Sequence, residues 1–381
     1  MSKFFDIEQL NNMSRDDYTL VDIRDDESFS YGHIPGALNI PHEKAIEKVK
    51  NFKTEKKLVI YCADGTKSIS IADEISGMGI EIYVLKDGYN AWIKKYIHEK
   101  ASGDTKEKIE KSLEKKFHRQ LFSKFAKAVV TYKLVEEGDK IAVCMSGGKD
   151  SFLMAKLFQQ LKKHNKFPFE LVFLVMDPGY STANREVIEH NAKLLNIPIT
   201  VFETDIFENV FNIEKSPCYI CARMRRGNLY AKAKKLGCNK IALGHHFDDV
   251  IETILMGVLY GGQVQTMMPK LKSNNFKGME LIRPLYFIRE EDIKKWRDFN
   301  NLYFIQCACK FTEACATENC FANNSVTTSK RKKVKGIIAN IAKDDPEVVF
   351  NIFKCVENVN LKTIVAYKDK SGERHNFLDD Y

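Results

Sequence analysis

The chain lacks any run of about 18 uninterrupted apolar residues, so no membrane-spanning helix is expected. Its opening residues, MSKFFDIEQLNN, contain no apolar leader core. No internal repeat is visible. A soluble cytoplasmic protein, with no membrane among its partners, is the expectation. In a reducing compartment the 10 cysteines are expected as thiols or metal ligands rather than structural disulfides. What is present suffices for globular cores: 381 residues, two or three domains' worth, with 44% hydrophobic content.

Charge is uneven. Residues 1–100 carry 14 basic and 17 acidic side chains, whereas the remaining 281 carry 45 and 34, a net of +11. A basic larger part suggests a polyanionic partner, nucleic acid first.

Residues 1–101 read as a small α/β unit with strands at YTLVDIRD, KLVIYCA and IEIYVLKDG. A charged linker running into a helix is expected over 102–125. From DKIAVCMSGGKDS onward, strands and helices alternate through about residue 262. IAVCM, FELVFLVMD, ITVFETD and KIALGHH are strand-like, each followed by a helical stretch. That alternation implies a doubly wound parallel sheet with its ligand at the carboxyl ends of the strands. The second domain is placed at 126–360, and 361–381 is expected to be a polar, frayed tail.

Four stretches carry chemistry. SGGKDS, Ser146 to Ser151, joins an apolar β-rich run to a helix. Gly147 and Gly148 let backbone N–H groups approach a phosphate, Ser146 and Ser151 can donate hydrogen bonds, and Lys149 supplies charge. The Walker spacing is absent. GHHFDD ends a strand at the same edge, where Asp248 and Asp249 are candidate Mg²⁺ or nucleotide-orienting carboxylates. His245 and His246 suit catalysis, packing or turn roles alike. In PCYICARMRRG, Cys218 and Cys221 suit a redox dithiol, half a zinc site or part of an iron–sulfur ligand set. Arg223, Arg225 and Arg226 beside them face either phosphates or solvent. In YCADGTKS, Cys62 ends a β-like run before a short loop and helix, whose N–H groups can stabilise a thiolate or persulfide. Cys144, Cys238 and Cys355 read as buried core thiols.

The motifs resemble two known families. SGGKDS is similar to the PP-loop of the ATP pyrophosphatases. With LVEEGDKIAVCMSGGKDS, PCYICARMRRGNLYAKAKKLG, LGHHFDDVIETILM and IRPLYFIREEDI…FIQCAC in order, residues 110–350 resemble the tRNA 2-thiocytidine synthetases. LVDIRDDESFSYGHIPGALNIP and VLKDGYNAW resemble the single-domain rhodaneses over residues 5–97. The fold implied is α/β: a rhodanese-like parallel-sheet domain followed by a doubly wound PP-loop domain of the adenine nucleotide alpha-hydrolase type. The resemblance implies Mg-ATP, a tRNA cytosine as substrate, Asp150 and Asp248 as catalytic residues, and a [4Fe–4S] cluster on Cys218, Cys221 and Cys307.

The chain departs from the family's C-x-x-C at the last site: Cys307-Ala308-Cys309 is followed by Cys315 and Cys320, so Cys309 rivals Cys307. The rhodanese likeness implies Cys62 as persulfide carrier, with Asp22, Arg24 and His33 shaping the domain. Lys67 stands where an arginine is common, and Asp64 adds negative charge that disfavours thiosulfate. A protein persulfide donor of the cysteine desulfurase type is expected instead. A homodimer is compatible with all of this. The competing readings are thiolation of a tRNA uridine or small metabolite, and a non-enzymatic sulfur or iron–sulfur relay.

Overall fold

The computed structural model describes residues 3–50, 56–77, 81–99, 103–164, 167–180, 182–204, 206, 217–305, 321–369 and 371–380. Five short parallel strands form the first sheet: β1 (Lys3–Phe5), β2 (Tyr18–Asp22), β3 (Leu38–Asn39), β4 (Lys57–Tyr61) and β5 (Ile82–Leu85), in the order β1-β5-β4-β2-β3. Parallel strands must be buried on both faces, and β4 shows why KLVIYC reads as a continuous apolar run. Val59 and Tyr61 enter one core with Leu20 and Leu85, while Leu58, Ile60 and Cys62 enter another with Val21 and Val84. The helices α1 (Ile7–Asn12), α2 (Asp26–Tyr31), α3 (His42–Lys50), α4 (Thr66–Ser76) and α5 (Gly88–Glu99) supply the crossovers and cover.

The stretch expected as charged linker is helical from its start. Helix α6 (Gly103–Lys111) runs through two π-helical turns, Ser112–Lys116 and His118–Phe122, into α7 (Ser123–Thr131). Ile109, Leu113, Phe117, Leu121 and Phe125 are all buried. They recur every four residues, and on a pure α-helix such a stripe drifts by about 40° per step. The wider π turns take up the drift and hold all five on one face.

The second sheet contains β6 (Lys140–Met145), β7 (Glu170–Asp177), β8 (Ile199–Glu203), β9 (Lys240–Ala242), β10 (Lys270–Lys272) and β11 (Glu280–Ile282), ordered β10-β11-β9-β6-β7-β8. All neighbours are parallel except the β10–β11 pair at the edge. The chain winds outward from β6 through α8 (Lys149–His164), β7, α9 (Thr182–Leu194) and β8. It then crosses back through α10 (Pro217–Lys235) to lay β9 on the other side of β6. The reversal creates a crevice between the carboxyl ends of β6 and β9, the place where open α/β sheets bind ligands.

Helices α11 (Phe247–Gly261), α12 (Glu290–Phe299), α13 (Phe321–Asp344) and α14 (Val348–Lys354) follow. The segment expected to fray forms a hairpin, β12 (Ala366–Lys368) with β13 (Arg374–Asn376), because alternating contacts such as Tyr367 on His375 stitch it. At the amino ends of the central strands β9 and β6, the buried Lys240 amine meets Asp139 at 2.6 Å and Glu136 at 3.0 Å, pinning β9 against the loop before β6.

Candidate active site

Cys62 lies at the carboxyl end of β4, 4% exposed. Its sulfur accepts from the Gly65 N–H at 3.2 Å and the Ser68 hydroxyl at 3.3 Å. The loop is held from behind by α5, whose Tyr89 and Asn90 N–H groups donate to the Cys62 and Ala63 carbonyls at 2.9 and 3.0 Å. Gly88 is required here. Its φ is +56°, and a Cβ would stand 2.4 Å from the Cys62 carbonyl oxygen. Asp64 Oδ1 is 3.6 Å from the sulfur and accepts from the Thr66 N–H and hydroxyl. Burial pushes the Lys67 ammonium down from its ordinary value, opposed by attraction to Cys62, Glu43 and Asp25.

Asp22 and Arg24 brace the domain: Arg24 Nη2 donates to Asp22 at 2.6 Å and to the Gly32 carbonyl at 2.6 Å. His33 Nδ1 hydrogen-bonds the Phe29 carbonyl at 3.0 Å, and its ring stacks on Phe29. Among the described residues none of the three is hydrogen-bonded to the Cys62 sulfur.

At the crevice of the second sheet, residues 146–151 turn from β6 into α8. Gly147 has φ +89°, and a Cβ there would lie 2.5 Å from Ile305 Cδ1 and 2.8 Å from Ile188 Cγ1. Ser151 ties the loop together, accepting from the Ser146 N–H at 3.2 Å and donating to the Gly148 carbonyl at 2.9 Å. The end of β9 presses directly on this turn, since a Cβ on Gly244 would meet Ser151 N at 3.3 Å. The Lys149 amine is buried between Asp150 Oδ2 at 3.1 Å and Glu290 Oε1 at 3.2 Å. Asp150 Oδ1 is buried with no hydrogen-bond partner among the described residues. A buried acceptor left open costs about 1–3 kcal/mol, so its retention at a phosphate-type loop suits a ligand or cation.

Around the loop lies a charge network. Glu290 also meets Lys294 at 3.3 Å and Lys335 at 3.1 Å. Burial pushes its carboxyl up, but Lys149, Lys335 and Lys294 outweigh that and hold it well below the usual range. Asp248 accepts from Arg289 Nε at 3.0 Å and the Glu290 N–H at 2.6 Å. His246 caps α11 in a reciprocal box with Asp249, whose N–H faces His246 Nδ1 at 3.4 Å while its carboxylate takes the His246 N–H at 3.0 Å. Asp249 is also bonded by Arg331, which reaches Glu252 at 2.7 Å. Burial pushes the Asp249 carboxyl up, but His246 and Arg331 bring it below its ordinary value. Burial lowers His245 to about 4, so its imidazole is neutral at pH 7, and Arg283 Nε points at its Nδ1 at 3.4 Å.

The structure thus brings Ser146, Gly147, Gly148, Lys149, Asp150, Ser151 and Asp248 together, with Glu290 bridging the loop to Asp248. Cys62 belongs to the other domain. Cys218 and Cys221 occupy the first turn of α10, three positions apart. Cys307, Cys309, Cys315 and Cys320 lie outside the described residues. Of the arginines beside the pair, Arg223 and Arg226 are exposed, and Arg225 Nη2 reaches the Tyr180 hydroxyl at 3.4 Å. Cys144 and Cys238 are buried as expected, but Cys355 is exposed. It follows α14, which buries Val349 and Phe353, and falls off the packed side. Glu290 and Arg331 were missed. The first stands in REED and the second in the basic run SKRKKVK, where nothing local marks a pairing with a distant carboxylate or lysine.

A cradled cysteine loop and a glycine-rich anion loop at a sheet reversal define a protein built to handle sulfur and a nucleotide. A rhodanese-like domain family matches residues 6–95, and a PP-loop domain family matches residues 113–310. The tRNA-cytidine(32) 2-sulfurtransferase of Paraburkholderia xenovorans is 31% identical over 256 residues, 66% of this chain and 72% of that protein. That of Polaromonas naphthalenivorans is 31% identical over 289 residues, 75% of this chain and 86% of that protein. A solved structure of the U34-tRNA thiolase NcsA from Methanococcus maripaludis with its [4Fe–4S] cluster is 22% identical, covers 64% of this chain and 80% of that one, and has a TM-score of 0.48. The chain belongs to the PP-loop family of the tRNA-cytidine(32) 2-sulfurtransferases, with a rhodanese-like domain preceding the PP-loop domain. Among the described residues no helix is long and apolar enough to cross a membrane.

Proposed function

We propose that this protein is an ATP-dependent tRNA sulfurtransferase that converts an anticodon-loop cytosine to 2-thiocytidine. The observation that carries the reading is the 146–151 loop at the β6/β9 crevice, with its buried Lys149 and the open Asp150 Oδ1. Backbone N–H groups of the loop and the α8 N-terminus receive the phosphates of ATP. Lys149 exchanges a carboxylate partner for phosphate. Asp150 fits Mg²⁺ through its unpartnered oxygen, a hard ligand for a hard cation. Asp248, fixed by Arg289 and the Glu290 N–H, orients the nucleotide.

The reaction balances as follows. The cytosine O2 attacks the α-phosphorus and pyrophosphate leaves. Sulfur then attacks C2, and AMP departs carrying the former O2. That sulfur is the outer atom of a Cys62 persulfide. Two electrons from a dithiol reductant break its S–S bond, delivering a sulfide equivalent and returning Cys62 to the thiolate. The Gly65 N–H and the Ser68 hydroxyl stabilise that thiolate. Asp64, 3.6 Å from the sulfur, disfavours the dianionic thiosulfate relative to a protein persulfide from a cysteine desulfurase.

Cys218, Cys221 and Cys307 are the thiolates that would hold a [4Fe–4S] cluster, with Cys309 as the rival third ligand. When bound, the cluster supplies thiophilic coordination at an iron without a protein ligand. The tRNA is drawn by the +11 bias of residues 101–381.

The test is twofold. AMP release stimulated by tRNA separates an enzyme from a sulfur relay. Mass spectrometry of tRNA nucleosides from cells with and without the gene shows whether 2-thiocytidine, a thiouridine or neither disappears. Unchanged nucleosides together with tRNA-independent AMP release overturn the reading.

A further inference from the structure

The two domains are not beads on a string. One face of α5, carrying Trp92 and Tyr96, closes on Tyr303 of the second domain. Ring centroids lie 4.9 Å apart for Trp92–Tyr303 and 4.7 Å apart for Tyr96–Tyr303, both edge-on. Lys94 on the same helix pairs with Glu186 of α9 at 2.5 Å. The first domain contributes Gly32 as well, whose absent side chain leaves room for the Tyr89 hydroxyl and which lies beside Tyr303. Buried residues of both domains form one continuous core.

What makes the contact functional is where its two sides lead. On one side, the first turn of α5 holds the Cys62 loop through the Tyr89 and Asn90 N–H groups. On the other, the Tyr303 carbonyl is fixed by Asn191 Nδ2 at 2.9 Å, and Ile305, two residues on, packs under Gly147 of the phosphate-type loop. A contiguous path of packed groups therefore runs from the Cys62 loop through α5 and Tyr303 to Gly147.

Resting on the sulfur-carrier reading above, we propose that the first domain hands over its sulfur from a fixed dock, set by Tyr96 and Trp92 closing on Tyr303, rather than from a swinging tether. The two arrangements differ in magnitude. A flexible tether raises the local donor concentration only to about the millimolar range. A donor held in orientation gains far more, and a misplacement of about 1 Å can cost on the order of 100-fold. Tyr96 and Tyr303 are thus positioning residues for transfer, with no part in ATP chemistry.

The test uses the full chain, its Cys62 loaded with ³⁵S by a cysteine desulfurase and cysteine. One then measures single-turnover transfer of label to tRNA with ATP, and separately thiolation fed by sodium sulfide. Tyr96→Ala should load normally, transfer label about 10- to 100-fold more slowly, and keep its sulfide-fed rate within about two-fold. Tyr96→Phe, which keeps the ring, should restore transfer. Should Tyr96→Ala fail to load, Lys94→Glu replaces it, with Glu186→Lys restoring the pair. Label transfer at the wild-type rate in these variants overturns the dock, as does an equal fall under both sulfur sources. Absence of label transfer in the wild type, with sulfide-fed thiolation intact, overturns the carrier reading and the dock with it.

Discussion

Gly147 offers the sharpest test of the phosphate-type loop. Replacing it with alanine imposes two separable costs. The first is conformational: at φ +89° an L-residue loses about 1–2 kcal/mol. The second is steric. The new methyl would stand 2.5 Å from Ile305 Cδ1 and 2.8 Å from Ile188 Cγ1, and both side chains are themselves buried, so neither has room to swing away. Overpacking of this kind costs about 1–3 kcal/mol. Gly138 is a built-in control, because its φ is +77° but nothing lies within 4 Å of a Cβ there. Gly138→Ala therefore carries only the first cost.

Since 1 kcal/mol shifts the midpoint by about 2–4 °C in a domain of this size, Gly147→Ala should unfold about 4–20 °C below wild type and Gly138→Ala about 2–8 °C below. Differential scanning calorimetry of the whole chain reads the contrast between the two variants, which does not require two-state behaviour. Adding Ile305→Ala should recover part of the Gly147→Ala loss. Equal midpoints for the two glycine variants would refute the packing account of the loop.

Asp150→Ala should cut tRNA-stimulated AMP release by about 100-fold or more in a chain that still folds but melts lower, because it removes both an acceptor that the fold leaves open and one carboxylate partner of the buried Lys149; undiminished AMP release by the folded variant removes Asp150 from the site. Cys62→Ser should abolish persulfide labelling of residues 1–97, where Cys62 is the only cysteine, and leave sulfide-supported thiolation working; a persulfide still found there excludes Cys62. Anaerobic reconstitution of alanine variants should lose the broad visible absorption at 218, 221 and 307 and keep it at 309, 315 and 320; stoichiometric zinc in a colourless, active protein would falsify the cluster assignment. His245 is held near 4 in the fold against 6.5 when unfolded. The unfolded chain binds the extra proton between those values, so this histidine's contribution is full above about pH 6.5 and is lost as pH falls toward 4, by roughly 3 kcal/mol. His245→Gln should flatten urea midpoints over that window, and an unchanged slope refutes the burial argument.

The strands and the loops at their carboxyl ends were legible because parallel sheets write themselves locally. IAVCM and KLVIY are apolar on both faces, and the turns that follow need glycine at Gly147 and Gly65, both at positive φ. The 103–125 stretch was misjudged as partly linker because its charge is local but its stripe has a period of four, between the patterns of an α-helix and a π-helix. Strands β3, β10 and β11 are two or three residues long, too short to show alternation, and are held by register with their neighbours. The C-terminal hairpin gave no signal either, since its polar strands pair with each other and with nearby tail residues such as Asp369 and Asp379.

The site divides along the same line. Residues whose chemistry depends on the local turn, such as Ser146 to Ser151 and Cys62, can be read from six or seven letters. Residues that act by charge across the fold cannot. Glu290 looks like an ordinary acidic first turn of a helix, yet it joins Lys149 of the loop, Lys335 of α13 and, through its N–H, Asp248. Arg331 looks like a solvated basic run, yet it closes on Asp249 and Glu252. The Glu290 pairs lie 42 to 141 residues apart in sequence, and the Arg331 pairs 79 to 82. Lys149 and the carboxylates are largely buried while Arg331 and Lys335 are about half exposed, so removing a partner strands charge chiefly on the side of Lys149, Glu290 and Glu252. The anion loop is therefore locally specified, but the carboxylates and cations that hold its lysine exist only once α11, α12 and α13 have been packed around the β6/β9 crevice.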